Sequence, residues 1–163
     1  MYAASQAGVE IDLIIRGVCT LRPGVKGLSE NIRVRSIVGR FLEHSRIFQF
    51  ANGGKEEIYL GSADWMPRNL FERCEVVVPV KDKAAKARIQ DEILTAYLTD
   101  TAKARLMQED GSYVRAKSHG GFSAQEFLMR LAEGKAELTD IAKSAAPVEK
   151  TKAPKPEPVA APK

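Results

Sequence analysis

Two residues in the stretch FLEHSRIFQF, His44 and Arg46, are of types that handle phosphate. A neutral imidazole is a nucleophile or proton carrier near pH 7, and a guanidinium matches the oxyanion charge of a phosphoryl group. On an extended segment, residues two apart project from one face, so the alternation predicts a strand carrying both side chains together. A second stretch, GSADWMPRN, follows a predicted strand and gathers Ser62, Asp64 and Asn69 at its end, with Arg68 and Arg73 nearby. Strand ends are where sites collect in α/β sheets. Each stretch also has a plain reading: a hydrogen-bonded strand histidine, and a turn with Trp65 filling the core. A third element is Arg16-Gly17, closing the apolar run VEIDLIIR. The loop after it, LRPGVKGLSEN, offers Arg22, Lys26 and backbone N–H groups as an anion cradle. It matches neither the Walker pattern nor G-x-G-x-x-G. His119, in KSHGG, reads as a surface residue.

The elements that must position these groups follow from periodicity. VEIDLIIR predicts a strand buried in a sheet, and Gly8 before it reads as the C′ glycine of a preceding helix. HSRIFQF and EEIYLGSA flank the turn ANGG, a hairpin signature. RCEVVVPV predicts a further, fully buried strand. From 82 to 98 the spacing turns helical, with Ala84, Ala87, Ile89, Ile93, Leu94 and Tyr97 on one face. Asp100 or Thr99 would cap a second short helix, TAKARLMQ; GSYVRAK reads as a short strand, and Ser123 as the N-cap of a helix over AQEFLMRLAEG. This gives an α/β class: a mixed sheet flanked by helices over residues 1–138, then a Pro/Ala/Lys-rich disordered tail over 139–163. The stretch from Ser144 onward holds five of the eight prolines and no aromatic residue, too little apolar surface to offset its ordering entropy.

Composition narrows the class of protein. The 163 residues suffice for one domain with a sizeable core, and 44% hydrophobic with 28% charged residues is ordinary for a soluble globular chain. No apolar run approaches the roughly 18 residues of a membrane span. The start MYAASQAGVEID lacks the regions of a signal peptide, so a cytoplasmic location is expected, with the inner-membrane periphery as the second option. Cys19 and Cys74 are too few and too distant for a metal knuckle or disulfide framework, and read as reduced packing thiols. The net charge of +4 permits polyanionic partners. Four lysines against Glu149 and Glu157 put part of that excess in the tail. Anion specificity must therefore come from placed arginines rather than bulk charge.

Several blocks together carry a resemblance. IDLIIRGVCTLRPGVKGLSENIRVRSIVGRFLEHSRIF, followed by NGGKEEIYLGSADWMPRNLFERCEV, resembles the C-terminal catalytic domain of the long, histidine-phosphorylated bacterial polyphosphate kinases, over about residues 1–118. The resemblance implies one half of a phospholipase D-like fold, in which two similar α/β halves each offer a histidine motif to a shared cleft. Here the usual His-x-Lys is His44-Ser45-Arg46, and GSADW stands where the phospholipase pattern has Gly-Ser-x-Asn. By position, Arg16 and His44 match nucleotide-contacting residues, and Arg73 a phosphate-side arginine. The family moves the terminal phosphate of ATP to and from polyphosphate, through a phosphohistidine and with Mg2+. Its phosphorylated histidine, its metal-linked arginines and its adenine-side tyrosine lie in the preceding domain, which no segment here matches.

The expectation that follows is a half-site, inactive until an N-terminal half is supplied by the same or another chain. In it His44 serves as an assisting acid/base or phosphate ligand, with Arg16, Arg46 and Arg73 on ATP and phosphate and with Ser62, Asp64 and Asn69 in support. Mg2+ would be held by the missing domain or the substrate. ATP/ADP and polyphosphate are the expected partners, a homo-oligomer is compatible, and no specific nucleic acid is implied. Two other readings stand beside it. One is a non-catalytic polyphosphate- or nucleotide-binding module. The other is a homodimeric phosphodiesterase with two copies of His44 meeting across a two-fold axis.

Overall fold

The computed structural model describes residues 1–116 and 121–144. A short helix α1 (Tyr2–Gln6) ends at Gly8, whose φ of +87° is the left-handed conformation a helix-terminating glycine supplies. Two sheets follow. The first is mixed, in the order β1-β2-β6-β7, from β1 (Ile11–Ile14), β2 (Ile32–Ile37), β6 (Ala104–Met107) and β7 (Tyr113–Arg115). The second is antiparallel, from β3 (Arg46–Phe50), β4 (Glu57–Gly61) and β5 (Val77–Pro79). Helical segments complete the layers: α2 (Pro67–Phe71), α3 (Lys83–Ala87), a π-helical stretch (Arg88–Leu94), α4 (Thr95–Thr99), α5 (Ala124–Ala132) and α6 (Thr139–Ser144). The mixed α/β architecture expected from the sequence is present.

Where β2 runs, Ile32, Val34 and Ile37 are buried, because it is flanked by β1 in parallel and β6 antiparallel. A second core lies among the helices, with Ala96, Ala124, Phe127 and Ile141 packed together and Tyr97, Phe122 and Leu131 around them. Ile141 belongs to α6, so the packed part of the chain extends through residues expected to open the tail. The remainder of that tail, and His119, lie outside the described residues.

Four other expectations change. VEIDLIIR is an edge strand that pairs only with β2, and its side chains alternate between half-buried and exposed rather than fully buried. RCEVVVPV shrinks to β5, which pairs only with β4 and leaves Val77 and Val78 exposed. The segment TAKARLMQ is not helical but forms β6. Helix α4 stops at Asp100, whose Oδ1 takes the N–H groups of Lys103 (2.7 Å) and Ala104 (3.0 Å), and β2 then captures the chain as a partner. Local helix propensity is outweighed here by a buried carboxylate and an open strand edge. Asp100 Oδ2 also accepts the Ala124 N–H at 2.8 Å, so it serves the α5 N-terminus, while Ser123 stands at the N-cap without a side-chain bond.

The fourth correction is Arg22. Its Nε donates to the Glu109 carbonyl at 2.7 Å, and its backbone N–H to the Tyr2 hydroxyl at 2.9 Å. Because β6 runs opposite to β2, Glu109 lies toward the end where β2 begins. The loop proposed as an anion cradle is thus tied to the opposite end of the sheet from Arg16.

A candidate phosphate-binding active site

The β3–β4 hairpin brings the two sequence stretches together. Its turn at Asn52–Gly54 has positive φ at all three residues, conformations that asparagine and glycine accept readily. The register that results pairs Arg46, first in β3, with Gly61, last in β4. Ser62, Ala63 and Asp64 therefore emerge beside His44 and Arg46. β5 pairs Val77 with Gly61, which sets Glu75 and Val76 against Ser62. Ser62 N–H donates to the Val76 carbonyl at 2.9 Å, and its hydroxyl accepts the Val76 N–H at 3.1 Å.

His44 is not on the strand. It precedes β3, exposed, and shares no pleat face with Arg46. The pair meets because the Arg46 side chain folds back: Nη1 donates to the His44 carbonyl at 2.8 Å and lies 2.7 Å from His44 Nδ1. The same Nη1 stands 3.3 Å from His44 Nε2, so the guanidinium lies against both ring nitrogens. The other side of the same guanidinium binds Asp64, with Nε 3.0 Å and Nη2 2.9 Å from Oδ1. Asp64 thereby holds Arg46, and Arg46 holds the ring. Trp65, offered above as a core plug, is exposed and stacks on Phe48 with ring centroids 5.4 Å apart.

Arg16 reaches the same loop from the end of β1, where its guanidinium donates to the Glu43 carbonyl, next to His44. Arg73 is exposed and makes no direct contact with His44 or Arg46. Its charge is felt at Glu75, which is held below the usual carboxylate range first by the Ser62 hydroxyl, then by the Asn69 amide, with Arg73 and Arg46 adding to the effect. Ser62 Oγ donates to one Glu75 oxygen and Asn69 Nδ2 to the other, at 2.8 Å. The Oδ1 of Asn69 is buried without a hydrogen-bond partner among the described residues.

Four residues at this site, Glu75, Glu43, Tyr97 and Gln125, carry no sequence signal that links them to it. Glu75 ties Ser62 to Asn69, and its only signal is an acid standing before an apolar run. Glu43 accepts hydrogen bonds from the Tyr97 hydroxyl and from Gln125. Burial and then that bond raise the Tyr97 phenol above its ordinary value. Neither Tyr97 nor Gln125 carries any sequence mark linking it to His44. Of the two cysteines, Cys19 is half-buried and Cys74 is exposed. Among the described residues no group of three or more His, Cys, Asp or Glu side chains could hold a metal ion. No helix among them is long and apolar enough to cross a membrane.

Comparison with known proteins places this geometry in a family. The family model "Polyphosphate kinase C-terminal domain 2" matches residues 1–125, taking in the cluster around His44. The chain belongs to the polyphosphate kinase C-terminal domain family. It is 62% identical over 117 residues to the polyphosphate kinase of Paraburkholderia phytofirmans, covering 72% of this chain and 17% of that protein. To the polyphosphate kinase of Pseudomonas putida it is 53% identical over 133 residues, covering 82% of this chain and 18% of the relative. The crystal structure of polyphosphate kinase from Porphyromonas gingivalis superposes with a TM-score of 0.76 at 45% identity, over 82% of this chain and 21% of that one. The chain thus spans about a sixth of the length of the curated relatives it matches.

Proposed function

We propose that this chain supplies one wall of the active site of a kinase that transfers the terminal phosphate of ATP to polyphosphate and back. The observation that carries the reading is the Arg46 guanidinium, which contacts His44 Nδ1 on one side and Asp64 on the other. It fixes the imidazole and sets positive charge beside it. Phosphoryl transfer asks for little covalent chemistry from the protein; its rate comes from positioning and from stabilising charge on the phosphoryl oxygens.

Within that reading, the His44 imidazole serves as a phosphate ligand or an assisting acid/base, and does not carry the phosphoryl group. Arg16 and Arg46 flank the imidazole as cations, and Arg73 extends the positive surface past Glu75. Ser62, Asp64 and Asn69 act through the backbone and through Arg46 and Glu75 rather than on substrate. Among the described residues no group of three or more His, Cys, Asp or Glu side chains is placed to hold Mg2+. Mg2+ would arrive with the nucleotide or be held by groups elsewhere in the enzyme. The phosphate-accepting histidine and the facing wall correspond to the part of the relatives that this chain does not match. A homo-oligomer and a cytoplasmic setting are compatible with this reading.

Titration with ATP and with polyphosphate, followed by calorimetry, tests it. An ordered site predicts that Arg16→Ala and His44→Ala both weaken binding, each by about tenfold, the worth of one charge-assisted contact. Binding that survives His44→Ala and fails only with Arg16→Ala would overturn the active-site reading in favour of a passive polyanion-binding module.

A further inference from the structure

Gln125 sits in the first turn of α5, far along the chain from His44, and is buried. Its amide is spent on the loop that carries His44. Oε1 accepts the Phe41 N–H at 3.0 Å, and Nε2 donates to the Phe41 carbonyl at 2.9 Å and to Glu43 Oε1 at 2.8 Å. The amide therefore reads the Phe41 peptide in both directions, as a neighbouring strand would. Glu43 Oε1 also accepts the Tyr97 hydroxyl, and the Glu43 carbonyl receives Arg16. One residue, immediately before His44, thus joins α4, α5 and the end of β1.

Two further observations show how closely this fit is made. A Cβ added at Gly39 would fall 2.4 Å from Gln125 Oε1 and 3.0 Å from its Cδ, so the loop lies on the amide with no space for a side chain. A cavity of about 260 Å3, lined by Gly39, Arg40, Phe41, Gln125 and Met129 among others, opens beside that contact. Packing on that side is incomplete, so the amide's bonds set where the loop lies.

We propose that Gln125, assisted by Tyr97, is a positioning residue for phosphoryl transfer, fixing the His44 loop against Arg16 through Phe41 and Glu43. The proposal rests on the reading of His44 as a phosphate-side group. A displacement of about 1 Å in such a group can cost on the order of a hundredfold in rate.

The test uses Gln125→Leu, which keeps much of the side-chain volume and removes all three bonds. In the full chain, the imidazole resonances of His44, separated from those of the second histidine with His119→Gln, are expected to move and broaden while α5 stays folded. Unchanged His44 signals would overturn the proposal. When the chain is combined with the remainder of a family enzyme, kcat is expected to fall about a hundredfold, with KM for ATP changed by less than about twofold. The same substitution should cost little in a His44→Ala background. An equal loss in both backgrounds would make Gln125 a fold-stabilising residue only, and the proposal would be wrong. Absence of phosphotransfer from both the wild-type combination and a fusion of the same two parts would sink the functional reading instead, leaving the imidazole spectrum to decide the positioning claim. If Gln125→Leu does not fold, Gly39→Ala, whose methyl pushes the same amide off the loop, is expected to shift the His44 signals in its place.

Discussion

Arg46 is the residue on which the site's geometry turns, because one guanidinium answers an imidazole, a backbone carbonyl and a carboxylate at once. Lysine has the charge but not the planar fork, and cannot span His44 and Asp64 together. Arg46→Lys should therefore weaken ATP binding by about tenfold, the scale of one lost charge-assisted bond, and a titration of the variant against wild type reads it directly. Glu75 gives a pH-dependent prediction. Its folded value lies below the ordinary glutamate value of 4.5, so the interaction with Ser62 and Asn69 is present at neutral pH. Its contribution is lost as pH falls through the depressed value. Melting curves of wild type and Glu75→Gln should thus differ at pH 7 and converge at the acid end. A constant offset throughout would show that the carboxylate's ionisation contributes nothing. The sequence pointed to His44, Arg46 and Asp64 as neighbours, and they do lie together, although Arg46 reaches His44 by folding back rather than from a shared strand face. Glu75, Glu43 and Gln125 were not legible in it, because hydrogen bonds that cross from one element to another leave no local pattern.

At the scale of elements, Asp100 is the joint between α4, β6 and α5. Its carboxylate is almost wholly buried and accepts three backbone N–H groups. Asp100→Ala would leave all three without that acceptor, two of them in buried residues, at about 1–3 kcal/mol for each buried group left unsatisfied. The expected loss is about 3 kcal/mol, lowering Tm by roughly 10 °C in thermal unfolding. A change below about 2 °C would mean that water replaces the carboxylate and that the joint is not structural. Reading the elements from sequence succeeded where a period was reinforced locally. The hairpin around Asn52–Gly54 and the helical run from Lys83 are examples. It failed at Ala104–Met107, where the segment's helical propensity is no guide to a strand made by pairing with β2. It also overestimated the burial of β1 and β5, since apolar composition does not reveal that a strand lies at a sheet edge. The π-helical stretch Arg88–Leu94 was likewise invisible. It joins α3 to α4, the helix whose Tyr97 reaches Glu43, and such stretches occur often near functional sites.

At the scale of the whole molecule, an apolar surface lies beside the candidate site. Trp65, Leu70, Phe71 and Val76, all in the segment running from the Asp64 turn to β5, are more than half exposed, Phe71 at 83%. Exposed apolar clusters beside a polar centre are characteristic of surfaces that receive another element. Relatives several times longer supply much additional chain that this one does not match. In the proposed function His44, Arg46 and Arg16 form one wall of a phosphotransfer cleft. The most direct measurement is polyphosphate synthesis from ATP and Mg2+ by this chain mixed with the remaining part of a family kinase, each component also assayed alone. Activity is expected only in the mixture, and is expected to be lost with His44→Ala. An inactive mixture alongside an active fusion of the same two parts would contradict a chain that contributes its half in trans. Activity that persists undiminished with His44→Ala would contradict the site itself.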